Sequence, residues 1–151
     1  SVIVDEIDCR ETFVYTAKPS SDERGKVMHM LRCDATFFKQ FGEIYFSTIN
    51  PGIIKGWKKH LKMTQHFAVP MGNIKLVIYD DRDNSSTKGE IQEIYIGTEN
   101  YRLVRIPPLV WYAFKAIGNE SALIANCTDL PHDPEESENK NPDDKTIPYQ
   151  W

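Results

Sequence analysis

Hydrophobic residues along this chain come in short runs bounded by turn formers. "ETFVY", "KVMHMLR", "EIYFSTI", "HFAVP", "NIKLVIYD", "EIQEIYI", "YRLVRI", "VWYAFKAI" and "SALIANC" are rich in Val, Ile, Tyr and Phe, the composition that suits a pleated, half-buried strand. Between them stand "SSDERG", "NPG", "PMGN", "DDRDNSSTKG", "TEN" and "AIGNES", where Gly, Pro, Asn, Asp and Ser supply turn geometry. Strands recurring at a spacing of about ten residues predict an all-β sandwich or barrel. In "NIKLVIYD", Ile74, Leu76 and Ile78 share one face, and Lys75, Val77 and Tyr79 the other. Both faces are partly apolar, which predicts a strand in the middle of a sheet. Only "DATFFKQF" offers a helical pattern, with Asp34 as its cap.

After Leu130 the pattern changes. "PHDPEESENKNPDDKTIPYQW" is rich in acids and prolines and has little periodicity, yet it ends in apolar and aromatic residues. The expectation is a single domain over residues 1–151, whose irregular acidic segment 131–151 packs back onto it. The chain has 151 residues, enough to bury a core without staples.

Charge and cysteines narrow the functional classes. The formal net charge is −4, which argues against a general nucleic-acid binder while leaving room for a local basic patch. Cys9, Cys33 and Cys127 are scattered and form no C-x-x-C pair, so reduced thiols in a cytoplasmic protein are expected. No apolar run approaches the length of about 20 residues that spans a bilayer, and the first residues lack the pattern of a signal peptide.

The basic patch is "KGWKKHLKMTQH" at residues 55–66. As an extended strand it places Lys58 and His60 on one face and Trp57 and Lys59 on the other. This is either a solvated strand end or a lysine–histidine pair set to hold phosphate or polarise a carbonyl. A metal set is incomplete: His60 and His66 could meet across a hairpin, but Lys58 stands where an H-x-H pair would need its first imidazole. No metal and no cofactor are expected. G-x-S-x-G, H-E-x-x-H and P-loop motifs are absent.

Taken in order, "DERGKV", "GEIYFSTINPGIIKGWKKH", "VPMGNIKLVIYDDR", "VRIPPLVWYAFKAIG" and "ANCTDLPHDPEE" resemble the dTDP-4-dehydrorhamnose 3,5-epimerase family, RmlC-like members of the cupin superfamily. The resemblance covers about residues 20 to 151 and implies an all-β fold, a cupin-type β-jelly roll, in a homodimer. It also implies a metal-free reaction on a nucleotide-linked 4-keto-6-deoxy sugar. A histidine base removes the proton beside the C4 ketone, and a tyrosine returns one to the other face. A lysine and a second histidine stabilise the enolate oxygen.

Position by position, Arg24 fits a nucleotide-side arginine of that family. Lys55 stands in place of the arginine of its R-G-L-H segment and can still hold phosphate as a point charge. Lys58 falls at the base histidine, Tyr112 at the second histidine and Ala125 at the acidic tyrosine. Gln65 or His66 lies near the family's lysine. The expected catalytic set is Lys58, His60, His66 and Tyr112. Arg24, Lys55, Gln65, Glu43 and Tyr45 are expected to contact a nucleotide-diphosphate sugar. The function implied is a sugar epimerase or isomerase of surface-polysaccharide biosynthesis with an altered catalytic set. The alternative is a non-catalytic nucleotide-sugar-binding or regulatory member of the same fold.

Overall fold

A computed structural model of the chain describes residues 2–6, 13–17 and 20–151. Its strands are β1 (Val2–Glu6), β2 (Phe13–Ala17), β3 (Ser20–Asp22), β4 (Gly25–Val27), β5 (Glu43–Ile49), β6 (Ile54–His60), β7 (Gln65–Met71), β8 (Asn73–Tyr79), β9 (Ile91–Gly97), β10 (Arg102–Ile106), β11 (Trp111–Ala116), β12 (Ala122–Thr128) and β13 (Ser137–Asn139). One sheet has the order β1-β2-β10-β7-β12-β5, and a second the order β13-β6-β11-β8-β9. β3 and β4 form a separate hairpin. All pairings are antiparallel. From β5 onward the chain alternates between the two sheets, except that β8 and β9 are neighbours in one, and the sheets face each other as a jelly roll.

Alternation builds the core between the sheets. Ile74, Leu76 and Ile78 of β8 meet Phe67 and Val69 of β7, Ile124 of β12 and Phe114 of β11 in one buried cluster. The other face of β8 sends Val77 outward, where it joins Trp57, Trp111, Ala113 and Ile147 in a second cluster. β8 is therefore apolar on both sides because both sides are covered. The outer cover is the acidic C-terminal segment itself. Ile147 is buried in the second cluster, and Tyr149 and Trp151 pack against it. Their rings stand 6.2 and 5.7 Å from that of Trp57. Lys75 lies over both rings, at 5.3 and 5.0 Å, its stem apolar and its ammonium placed for cation–π attraction.

Three local expectations differ from what forms. Residues 28–32 carry no strand, and 34–41 form turns rather than a helix. There Arg32 pairs with Asp34, and Gln40 donates across to the Asp129 carbonyl. Long-range anchors replace the helical ladder. β13 arises in the segment that reads as irregular: Ser137–Asn139 pair with Lys58–His60 along the edge of β6. Cys33 and Cys127 are free thiols; Cys9 lies outside the described residues.

Two backbone features fix β6. Its pairing with β11 shifts register between Tyr112 and Ala113. Gly56 has φ 137° there, and a Cβ on it would collide with Ala113, so only glycine lets the strands approach. At the far end Leu109 adopts φ 70° and its N–H donates to the His60 carbonyl at 2.7 Å.

Ile147→Ala opens a cavity in the outer cluster and is expected to cost about 2–4 kcal/mol. Urea unfolding measures the loss, and faster trypsin cleavage after Lys145 would report loosening of the segment.

Candidate active site

A cavity of about 320 Å³ opens between the sheets, within the range of about 300–1,000 Å³ typical of small-ligand sites. From the six-stranded sheet come Tyr45 and Ser47 of β5, Phe67 of β7, and Ile124 and Asn126 of β12. From the five-stranded sheet come Lys55 and Lys58 of β6 and Tyr112 and Phe114 of β11, with Asn139 and Lys140 at the rim. Two lysines, Lys55 and Lys58, thus line one opening of a chain whose net charge is negative, while the ammonium of Lys140 turns away, donating to Thr146 Oγ1 at 2.6 Å and lying 4.7 Å from the Trp111 ring. A larger hollow of about 760 Å³ lies beneath residues 142–151, but no histidine and no buried carboxylate lines it.

The lysines differ in freedom. Lys55 Nζ donates to the Thr48 carbonyl at 2.6 Å, bridging β6 to β5 across the gap between the sheets. Lys58, directly opposite Tyr112 in the pairing of β6 with β11, makes no side-chain hydrogen bond or ion pair among the described residues. Lys59 points the other way and lies 4.8 Å from the Trp111 ring.

Behind the cavity wall runs a polar chain. The Tyr112 hydroxyl donates to Gln65 Oε1 at 3.2 Å and lies 3.5 Å from His60 Nε2. The Tyr112 and His60 rings are nearly parallel, 6.1 Å apart. His60 Nδ1 meets Glu136 Oε1 at 2.7 Å. The other oxygen of Glu136 accepts the backbone N–H groups of Lys62 at 2.8 Å and Met63 at 2.7 Å. On the opposite side Asn126 Nδ2 donates both to Gln65 Oε1 and to the Tyr45 hydroxyl, each at 2.8 Å.

Burial sets the acidities. It pushes the Tyr112 phenol well above its ordinary value, against a smaller opposing effect of Gln65. Tyr45 moves the same way, again through burial and despite the hydrogen bond from Asn126. Burial would also raise Glu136, but hydrogen bonds from His60, Lys62 and Met63 outweigh it and hold the carboxyl below its usual value. An ionised, oriented Glu136 fixes the ring of His60 and favours a proton on its Nδ1.

Of the expected site residues, Lys58, Lys55, Tyr112 and Tyr45 line the cavity, with Gln65 and His60 directly behind. His66 is not brought to it. β7 sends Gln65 inward, so His66 points to the outer face, where Nδ1 meets the Cys127 carbonyl at 2.9 Å and the ring faces Phe37. His60 thus reaches the back of the cavity from the five-stranded sheet, while His66 faces away from it on the six-stranded sheet. Arg24 sits on the exposed β3–β4 hairpin, paired with Asp22 at 2.6 Å. Glu43 uses its carboxylate to accept the His132 N–H. Neither lines the cavity. Glu136 and Asn126 belong to the network and were not anticipated. Both lie within "ANCTDLPHDPEE", where no spacing singles them out.

Known proteins share this architecture. The sequence profile of dTDP-4-dehydrorhamnose 3,5-epimerase matches residues 6–151. The probable low-salt glycan biosynthesis epimerase Agl13 of Haloferax volcanii is 38% identical over 132 residues, covering 86% of this chain and 81% of that protein. The spore coat polysaccharide biosynthesis protein SpsL of Bacillus subtilis is 32% identical over 133 residues, covering 87% and 88%. The crystal structure of a dTDP sugar isomerase from Desulfovibrio desulfuricans superposes with a TM-score of 0.92 at 45% identity, covering 100% of this chain and 95% of that one. With its jelly roll, its inter-sheet cavity and a profile match along nearly its whole length, the chain belongs to the dTDP-4-dehydrorhamnose 3,5-epimerase family.

Proposed function

We propose that the cavity binds a nucleotide-linked 4-keto-6-deoxy sugar and epimerises it beside the ketone, in the synthesis of a surface polysaccharide. The observation that carries this reading is the Glu136–His60–Tyr112 chain, which ends at a cavity wall beside Lys58, whose ammonium has no partner among the described residues. A proton beside a ketone becomes removable when the developing enolate oxygen is stabilised by a fixed positive charge. Lys58 supplies that charge. Tyr112 and His60 form the proton-accepting side: Tyr112 passes its phenolic proton to His60 Nε2 and takes the carbon-bound proton in turn. Glu136 stabilises the imidazolium that results. Phe67 and Phe114 offer apolar faces to the sugar ring, and Lys55 favours the diphosphate at the rim. The family's description and the dTDP sugar isomerase relative support dTDP as the nucleotide.

A second reading, a nucleotide-sugar binder without turnover, is favoured by Ala125, which stands where the family resemblance places an acidic tyrosine. It predicts thermal stabilisation by dTDP-sugars with no exchange of sugar protons. Exposed Ile44 and Phe46 on β5 and Met71 on β7 support a homodimer that covers them. Sedimentation velocity should then give twice the chain mass, and a monomer at micromolar concentration would remove this reading. The free thiols at Cys33 and Cys127 suit a reducing, cytoplasmic setting.

Replacing Lys58 by Met should abolish turnover of a keto-sugar nucleotide and leave the fold intact. Deuterium exchange into the sugar, followed by NMR, checks this; an unchanged exchange rate would exclude Lys58 from the chemistry. Glu136→Gln should lower kcat about 10²-fold or more, with little change in KM, because it misorients His60 rather than removing a ligand contact. The same variant carries a stability signature. The Glu136 carboxyl is depressed on folding, so its contribution is present above the unfolded value near 4.3 and is lost as pH falls through the folded one. Wild type should exceed Glu136→Gln by about 1–3 kcal/mol at pH 7, and the gap should close in acid. A gap that does not change with pH would show that Glu136 is uncharged in the fold.

A further inference from the structure

Inverting a stereocentre needs two proton-handling groups, one on each face of the ring. A sugar lying between the sheets presents one face to each of them. The five-stranded sheet brings Tyr112, backed by His60. We propose that the donor on the opposite face is Tyr45, acting as the general acid that returns a proton to the enolate carbon. This rests on the epimerase reading above and adds a residue that the catalytic set lacks.

Three observations carry it. First, the other hydrogen-bonding side chains that the six-stranded sheet presents to the cavity are Ser47 and Asn126, a hydroxyl and an amide far weaker as acids than a phenol. Second, the Tyr45 hydroxyl accepts from Asn126 Nδ2 at 2.8 Å and donates to nothing among the described residues. Its own proton is therefore free to point into the cavity. Third, the two phenols are positioned by one scaffold. Gln65 Oε1 accepts from both Tyr112 and Asn126, and Asn126 in turn holds Tyr45. The amide pair fixes the phenols on facing sheets without itself titrating.

The proton balance closes without a co-reactant. The carbon–hydrogen bond on the Tyr112 face breaks, its proton enters the Tyr112–His60 pair, and the electron pair moves to the enolate oxygen beside Lys58. The Tyr45 O–H bond then breaks as a new carbon–hydrogen bond forms on the opposite face. The tyrosinate is left near Lys55 and Lys58 and recovers a proton from water, to which Tyr45 is 39% exposed. His60 releases its proton to solvent. Burial pushes the Tyr45 phenol's pKa above its ordinary value, so the phenol enters each cycle protonated.

Tyr45→Phe removes one oxygen at an accessible position and tests the assignment. The full chain is incubated with dTDP-4-keto-6-deoxyglucose in deuterium oxide and followed by NMR. Wild type is expected both to incorporate deuterium beside the ketone and to form the inverted sugar. Y45F should still incorporate deuterium with retention, through the intact Tyr112 side, while inverted product falls about 10²-fold or more. Its affinity for dTDP, read by calorimetry, should not change. Inverted product at the wild-type rate would overturn the role of Tyr45. So would a parallel loss of exchange and inversion, which would place Tyr45 in binding or on the base side. Absence of exchange in wild type would overturn the epimerase reading itself, and the assignment of Tyr45 with it.

Discussion

A carboxylate taken out of water must find compensation or give up its charge. Glu136 is 7% exposed, and its two oxygens are met by His60 Nδ1 and by the N–H groups of Lys62 and Met63. Leaving such a buried group without its hydrogen-bond partner costs about 1–3 kcal/mol. The cost is also a constraint on geometry. Glu136 stands at the end of a short 3₁₀ turn, Pro134–Glu136, capped by Asp133. Its carbonyl accepts from Leu61 at 2.8 Å, and β13 follows at once along the edge of β6. The C-terminal segment is thus tied to the end of β6 by side chain and backbone together. That tie orients His60, and through His60 the back of the cavity.

The same segment covers both sides of β6. Glu136 satisfies the inner end, while Ile147, Tyr149 and Trp151 close over Trp57 on the outer face. One strand therefore carries two unlike environments at alternate positions: Lys58 and His60 toward the cavity side, Trp57 and Lys59 toward the cover. The close approach at Gly56 and the turn at Leu109 hold the strand in register for this division.

Local alternation made most of the barrel legible in the sequence. "NIKLVIYD" announces a strand covered on both faces, and "KGWKKH" separates its lysine–histidine face from its tryptophan face. Period-two patterning cannot, however, show which sheet a strand joins or what lies across from it. Glu136 is 76 residues from His60, in an acidic run with little periodicity. Nothing local distinguishes it from Glu135, which is exposed. Asn126 likewise matters through Tyr45 on the neighbouring strand, a pairing that only the register of β5 and β12 creates. His66 fails in the opposite sense: the residue type suits a site, but one step along β7 turns it to the far face.

A site with a lysine where an imidazole base would stand must separate two tasks. An ammonium ion holds negative charge well and, while protonated, accepts no proton. In this cavity the positive charges come from Lys55 and Lys58, both on β6. Groups suited to proton transfer stand apart from them: phenols on both sheets, and an imidazole held by a buried carboxylate. Charge stabilisation and proton transfer thus rest on different side chains. On the proposed mechanism, a lysine at position 58 gives up the role of base and keeps the means to hold an enolate. The polar network behind Tyr112 is the part of the fold that can take over the missing task.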